Sequence, residues 1–294
     1  MTYIEPKPLT KGDTIAFIAP AGPIKDRDNI ERAREHFERN GYKIVYSKHL
    51  FNKTGYLSDT DKHRLEDLHW AFEDNKIDGI ICGRGGYGCL RLINNIDFAM
   101  ITKHPKLFCG YSDITVLSAM LLKRSGLITY SGPMANGDFG KKEQSDFTIN
   151  NFYDCVMAKN KNKYTASKIY RNGGAEGISF GGNLASIVSL CGIDFIPDED
   201  FIFFAEDLNE PVYKIDKMFT QLFNIEKFRN NIKGIVLGDF LDNGYPEQLD
   251  IFFKTMSKKY SLPTISGFKI THNSDKITIP YGRKCIIKEG EFII

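Results

Sequence analysis

Short apolar runs alternate with longer amphipathic stretches through the first half of the chain. Thr14 to Ala19, Lys43 to Tyr46 and Gly79 to Cys82 read as strands, and Asp28 to Asn40 and Thr60 to Asn75 between them read as helices. The first helix stops at Asn40-Gly41, where glycine takes a left-handed cap, and Asp59 or Thr60 is a good N-cap for the second. Two further strands, Lys106 to Cys109 and Leu127 to Tyr130, flank a helix over Ile114 to Arg124. Repeated strand–helix–strand units imply a doubly wound, mostly parallel sheet of about five strands with helices on both faces, a flavodoxin-like arrangement.

The pattern changes after Ser131-Gly132-Pro133, and the polar break from Asn160 to Lys163 places a domain boundary near residue 165, giving units 1–165 and 166–294. The second unit has two fully apolar strands, Phe201 to Ala205 and Gly234 to Leu237, and two alternating ones, Lys276 to Ile279 and Lys284 to Ile287. Helices over Val212 to Phe223 and Gln248 to Lys258 separate the first of these, so a mixed α/β domain with a β-rich tail is expected.

A chain of 294 residues can bury two cores. Its 39 Lys plus Arg balance 37 Asp plus Glu, so a net charge of +2 makes no electrostatic case for nucleic acid or an anionic membrane as partner. The substrate is expected to be small. The six cysteines are scattered without a C-x-x-C pair, the pattern of buried reduced thiols, which points to the cytoplasm. The first apolar run, Ile15 to Ala19, is too short for a signal core, and no stretch approaches the roughly 18 apolar residues of a membrane span.

Candidate chemistry starts where Ile80-Ile81-Cys82 runs into Gly83-Arg84-Gly85-Gly86-Tyr87-Gly88, formally G-x-G-x-x-G. This loop follows the third strand rather than the first, and no acidic residue for a ribose closes the next strand, so a dinucleotide site is a poor match. Its exposed backbone N–H groups at the carboxyl edge of a parallel sheet suit an oxyanion instead. The next strand ends at Gly110-Tyr111-Ser112-Asp113 and opens a helix, which exposes Ser112 near a positive helix end, although Ile114 stands where G-x-S-x-G has its second glycine. Taken by itself, such a serine is more often an ordinary N-cap.

A serine nucleophile needs a base. His36, His63 and His69 lie in charged amphipathic helices, His49 in a Lys-rich segment after a strand, and His104 before Pro105, so all five read as solvated or capping residues. His272 follows the apolar run Ile265 to Ile270 on a loop and is the candidate left. An orienting carboxylate is available where Phe201 to Ala205 ends at Glu206-Asp207, either acid alternatively capping the next turn.

Taken together these segments resemble the LD-carboxypeptidase family of serine peptidases, which includes the microcin C self-immunity peptidases. The resemblance covers Gly12 to Ile15 with Ala19 to Gly22, Arg84 to Gly88, Gly110 to Asp113, Ser131 to Met134, Gly181 to Leu184, Glu206-Asp207, Gly234 to Gly238, and His272 with Ile279 to Gly282. It implies a triad of Ser112, Glu206 and His272 split between the two units, an oxyanion hole from the backbone amides of Gly86 and Asp113, no metal or cofactor, a cytoplasmic location and a homodimer. The implied reaction is release of the terminal D-alanine from a murein tetrapeptide through an acyl-enzyme.

Arg84 is a candidate for the substrate carboxylate, with a structural ion pair as its alternative, and Asn183 for substrate amides, with a helix N-cap as its alternative. Two other functions stay open. A microcin C-type peptidase would want an aromatic residue to stack on a base, and the one tryptophan, Trp70, lies in a helix of the first unit. A non-catalytic nucleotide-binding module would use the glycine loop and would not need Ser112, Glu206 and His272 to converge.

Overall fold

A computed structural model of the chain describes residues 2–157 and 162–294. Of the polar break at 160–163, residues 160 and 161 lie outside the described residues. In the first unit β1 (Thr14–Ile18), α1 (Arg27–Arg39), β2 (Lys43–Tyr46), α2 (Asp61–Glu73), β3 (Gly79–Cys82), α3 (Phe98–Lys103), β4 (Leu107–Cys109), α4 (Ile114–Ser125), β5 (Thr129–Ser131) and α5 (Asp146–Val156) succeed one another. At the expected boundary comes β6 (Lys163–Thr165), and the second unit follows with β7 (Lys168–Arg171), β8 (Ala175–Asn183), α6 (Leu184–Val188), β9 (Phe201–Leu208), α7 (Val212–Asn224) and α8 (Glu226–Asn231). It continues with β10 (Ile232–Leu241), α9 (Pro246–Tyr260), β11 (Thr264–Ser266), β12 (Ile279–Tyr281), β13 (Lys284–Lys288) and β14 (Glu291–Ile293).

The first sheet has the order β12-β5-β4-β3-β1-β2, so its five parallel strands follow the flavodoxin-like order 2-1-3-4-5. The second sheet, β6-β14-β13-β8-β9-β10-β11-β7, has a parallel centre from β8 to β11 and antiparallel flanks. Helix α1 starts where Asp26 accepts from the Asp28 N–H, and buries Ile30, Ala33 and Phe37 along one stripe. Helix α4 is different. It is apolar nearly all round because it is covered on both sides, by β5 of its own sheet and by β8 and α6 of the second unit. One continuous hydrophobic core therefore runs through both units, with Val116, Met120 and Leu121 packed in the same cluster as Phe180, Phe203 and Tyr281.

Two expectations are corrected. The alternating segment Lys276 to Ile279 is not a strand of the second sheet; the strand begins at Ile279 and pairs antiparallel with β5, adding a sixth strand to the first sheet. Side chains take the place of a ladder before it: Thr148 Oγ1 accepts from the Lys276 N–H at 2.8 Å and Asn151 Oδ1 from the Thr278 N–H at 2.6 Å. Strand β9 also continues beyond Ala205 to Leu208, so Glu206 and Asp207 lie within its last turn of pairing, opposite Asn183 and Phe240.

The segment from Thr271 to Thr278 is fastened to the first unit by a buried ion pair between Lys276 and Asp138, both side chains only 3% exposed. Removing one partner of such a pair leaves the other charge desolvated and uncompensated. Lys276→Met is expected to lower the unfolding free energy by about 3–5 kcal/mol, and Lys276→Met combined with Asp138→Asn to recover part of that loss. Urea denaturation of the two variants checks it; a double variant no more stable than the single one contradicts a charge-pair origin.

Candidate active site

Ser112 occupies the turn between β4 and α4 with φ of 62°, a left-handed conformation unusual for a residue other than glycine. Such a sharp strand–turn–helix turn lifts the hydroxyl clear of the sheet edge. The turn is closed by the Thr115 N–H donating to the Ser112 carbonyl at 2.9 Å. Glycine at 110 is required for close packing, since a Cβ there would sit 3.0 Å from Ile114 and 3.1 Å from Cys82 Cβ.

The glycine loop wraps around this turn. A Cβ on Gly85 would lie 2.8 Å from Ser112 Cβ and 3.0 Å from its Oγ, so the loop backbone is in contact with the serine side chain. The Gly22 N–H donates to the Gly85 carbonyl at 2.9 Å, and Gly86 has φ of 107°. At the far end of the loop, buried Asp113 accepts from the Cys89 N–H at 2.8 Å, which ties the loop to the serine turn. Burial raises the Asp113 carboxyl against the lowering effect of that amide. Among the described residues, the backbone N–H groups of Gly86 and Asp113 have no acceptor.

The second unit contributes the imidazole. His272 Nδ1 lies 2.8 Å from Glu206 Oε2. Glu206 is 4% exposed and also accepts from Asn183 Nδ2 at 3.2 Å. Burial pulls the His272 imidazole down, but the hydrogen bond and charge of Glu206, with Asp207 adding, outweigh it and the net shift is upward. Tyr111 packs edge-on against the ring at 5.2 Å. The ammonium of Lys276 lies over the Tyr111 ring, 5.0 Å from its centroid, so the buried pair with Asp138 also supports the wall on which His272 rests.

Asp207 does different work from Glu206. It accepts from the N–H groups of Ala185 at 2.9 Å and Leu208 at 2.8 Å, and from Asn183 Nδ2 at 3.0 Å. Burial, with the neighbouring Glu206 charge adding, moves its carboxyl up to about 6 despite those amides. Asn183 caps α6 by accepting from Ser186 N at 3.1 Å while its amide holds both acids. It stands behind Glu206 rather than on the cleft wall, so the capping alternative describes its place.

Ser112 and His272 line one cleft of about 450 Å³, together with Gly85, Gly86, Tyr111 and Arg84. Lys25 and Lys141 line it as well, and among the described residues no carboxylate does. Arg84 donates to the Pro23 carbonyl at 3.3 Å and, among the described residues, pairs with no acid. A cleft of about 710 Å³ elsewhere, lined by Tyr3, Glu5 and Arg283, is larger but brings together no hydroxyl–imidazole pair. Sequence reasoning missed Tyr111, Lys25, Lys141 and the Lys276–Asp138 pair; only Tyr111, beside Ser112, carried a signal. It also misread His36 and His49, which are buried.

A strained serine at a strand–helix turn and an imidazole oriented by a buried carboxylate, facing one cleft beside unbonded backbone amides, fit a serine-type hydrolase. The chain belongs to the LD-carboxypeptidase family: residues 15–132 match its N-terminal domain and residues 176–287 its C-terminal domain. It is 35% identical to the probable murein peptide carboxypeptidase of Bacillus subtilis, over 98% of this chain and 92% of that one. It is 27% identical to the microcin C7 self-immunity protein of Escherichia coli, over 95% of this chain and 92% of that one. The solved muramoyltetrapeptide carboxypeptidase of Oxalobacter formigenes superposes with a TM-score of 0.85 at 29% identity, covering 95% of this chain and 97% of that one.

Contact between the Gly85 backbone and the Ser112 side chain makes a direct test of the turn. Gly85→Ala does not need a left-handed backbone but displaces Ser112, and a shift approaching 1 Å costs about 10²-fold in rate. Peptidase kinetics with an unfolding curve check this: a large loss of kcat at nearly unchanged stability is expected, and full activity would show that the contact is idle.

Proposed function

We propose that this enzyme releases the terminal D-alanine of murein tetrapeptides by acyl transfer to Ser112. The observation that carries the reading is the cleft itself, where Ser112 and His272 share a wall with Arg84, Lys25 and Lys141 and, among the described residues, with no carboxylate, a setting suited to a substrate ending in a carboxylate. His272 takes the Ser112 proton as the hydroxyl attacks the scissile carbonyl, and Glu206 holds the imidazole with Nδ1 protonated. The amides of Gly86 and Asp113 receive the oxyanion. His272 then returns the proton to the departing D-alanine amine, and water, activated by the same imidazole, frees the acyl group.

Arg84 receives the terminal carboxylate in this scheme, since its guanidinium is free of an acid within the chain and borders Gly85. Trp70 packs on α2 against the core and does not line the cleft, which weighs against a site built to stack a nucleobase. The cysteines are unpaired thiols, five of them buried, as suits an enzyme of the cytoplasm that recycles wall fragments.

Incubation with tripeptide, tetrapeptide and pentapeptide muropeptides, read by mass spectrometry, should show loss of one D-alanine from the tetrapeptide alone. Ser112→Ala should reduce the rate by about 10⁴-fold or more. Cleavage of a peptidyl nucleotide in preference to the tetrapeptide would move the enzyme to the microcin-like branch, and an active Ser112→Ala enzyme would end the mechanism.

The pH dependence follows from the raised His272 pKa. The working base is the neutral imidazole, so kcat/KM should climb with pH along a limb whose midpoint lies above the ordinary histidine value of 6.5. Glu206→Gln removes the charge responsible and should shift the limb downward as it slows the reaction. A limb unmoved by that substitution would separate Glu206 from His272.

A further inference from the structure

His49 and His63 lie outside the peptidase cleft, and their rings stack face to face with centroids 4.2 Å apart and planes 5° from parallel. His49 follows β2 and is buried, whereas His63 sits in the first turn of α2 with its side chain 39% exposed. Each ring has one nitrogen committed to a buried carboxylate: His49 Nδ1 to Asp67 at 2.9 Å and His63 Nδ1 to Asp59 at 2.9 Å. Those acids are themselves anchored. Asp67 accepts from the His49 N–H at 3.2 Å, and Asp59 from Asn52 at 2.6 Å and the Thr60 N–H at 2.7 Å.

At His49 the carboxylate accepting from Nδ1–H leaves Nε2 as a lone-pair donor, the tautomer that metal-binding histidines are given by their outer partners. Glu66 follows His63 by three residues on the same helix face. Donor atoms of His49, His63 and Glu66 all lie within 4.8 Å of one another. Imidazole binds a metal along its in-plane lone pair, which two parallel stacked rings cannot both aim at one ion. Tetrahedral zinc with donors roughly 3.3 Å apart therefore requires His63 to swing out of the stack and off Asp59, and Glu66 to rotate toward fixed His49. The competing contact of Glu66, an exposed ion pair with Lys62 at 3.8 Å, is a weak one.

We propose that His49, His63 and Glu66 bind one divalent transition-metal ion of the zinc type, with water as the fourth ligand. Two imidazoles and a carboxylate select zinc over magnesium or calcium, which prefer all-oxygen sites. The ion has no part in peptide hydrolysis. It cross-links the β2–α2 connection to the first turns of α2, and the residue after His63 is Arg64, which is 2% exposed and donates through Nη1 to the Gly88 carbonyl at 2.9 Å and to that of Pro20. Metal binding thus stiffens the support under the far end of the glycine loop.

The test uses the full chain stripped with a chelator and titrated with zinc sulfate by calorimetry and native mass spectrometry. One equivalent should bind and raise the thermal unfolding midpoint. Glu66→Gln, an exposed substitution, should keep the metal-free midpoint, and both it and His63→Ala should weaken zinc binding by at least about tenfold. His272→Ala should retain the stoichiometry, and cobalt(II) should give tetrahedral ligand-field bands without thiolate charge transfer. Absence of binding at a hundredfold excess of zinc would overturn the proposal. So would unchanged affinity in His63→Ala, or loss of the ion in His272→Ala, which would put the metal in the peptidase cleft.

Discussion

Everything at the site depends on holding Ser112 in a backbone conformation that a serine disfavours. A left-handed φ of 62° at a residue with a Cβ costs on the order of 1 kcal/mol, and it persists only where the surroundings over-determine it. Three contacts do so here. Helix α4 closes the turn through Thr115, the backbone of Gly85 presses on the serine side chain, and Asp113 reaches back to the start of the segment beyond the glycine loop. The glycine at 85 is explained by this close approach and that at 86 by its φ of 107°, and no bound phosphate is needed to account for them.

The imidazole must meet this turn from another part of the chain, which makes the junction between the units a functional element. The second unit is not merely appended. Helix α4, which begins at the serine turn, is buried against β8, where Gly182 packs on Thr115 and the Asn183 N–H donates to Thr115 Oγ1 at 3.2 Å. The same Asn183 holds Glu206, and Glu206 orients His272, so a line of direct contacts runs from the helix behind the serine to the ring in front of it. On the other side the Lys276–Asp138 pair and strand β12 return the chain to the first unit immediately after His272.

Much of this was legible from local pattern. The βαβ alternation yields the five parallel strands and their flanking helices because burial on both faces makes such strands continuously apolar. Ser112 and His272 were found because each sits at an abrupt change from apolar run to polar turn. The rest was hidden for physical reasons. The segment at Lys276 alternates as a strand does, but its lysine is drawn into a buried ion pair and its amides are satisfied by Thr148 and Asn151, partners more than a hundred residues away. Strand β9 seemed to end at Ala205 because acids follow, and nothing local reveals that Asn183 and two backbone amides compensate them inside the sheet. His49 looked solvated among lysines because its partner Asp67 comes from the next helix.

The two adjacent acids illustrate how environment rather than residue type divides roles. Glu206 and Asp207 follow each other at the end of one strand and share the Asn183 amide, but their other partners differ. Asp207 meets the open amides at the start of α6 and is used up as a cap, with its carboxyl lifted to about 6 by burial. Glu206 faces the cleft side, where only the Asn183 amide competes for it, and its longer side chain spans to His272 Nδ1. A shorter acid at 206 would have to draw the His272 loop inward, against the anchoring of Lys276 on Asp138 only four residues beyond the imidazole. The choice of glutamate as the orienting acid is therefore set by where the two units join.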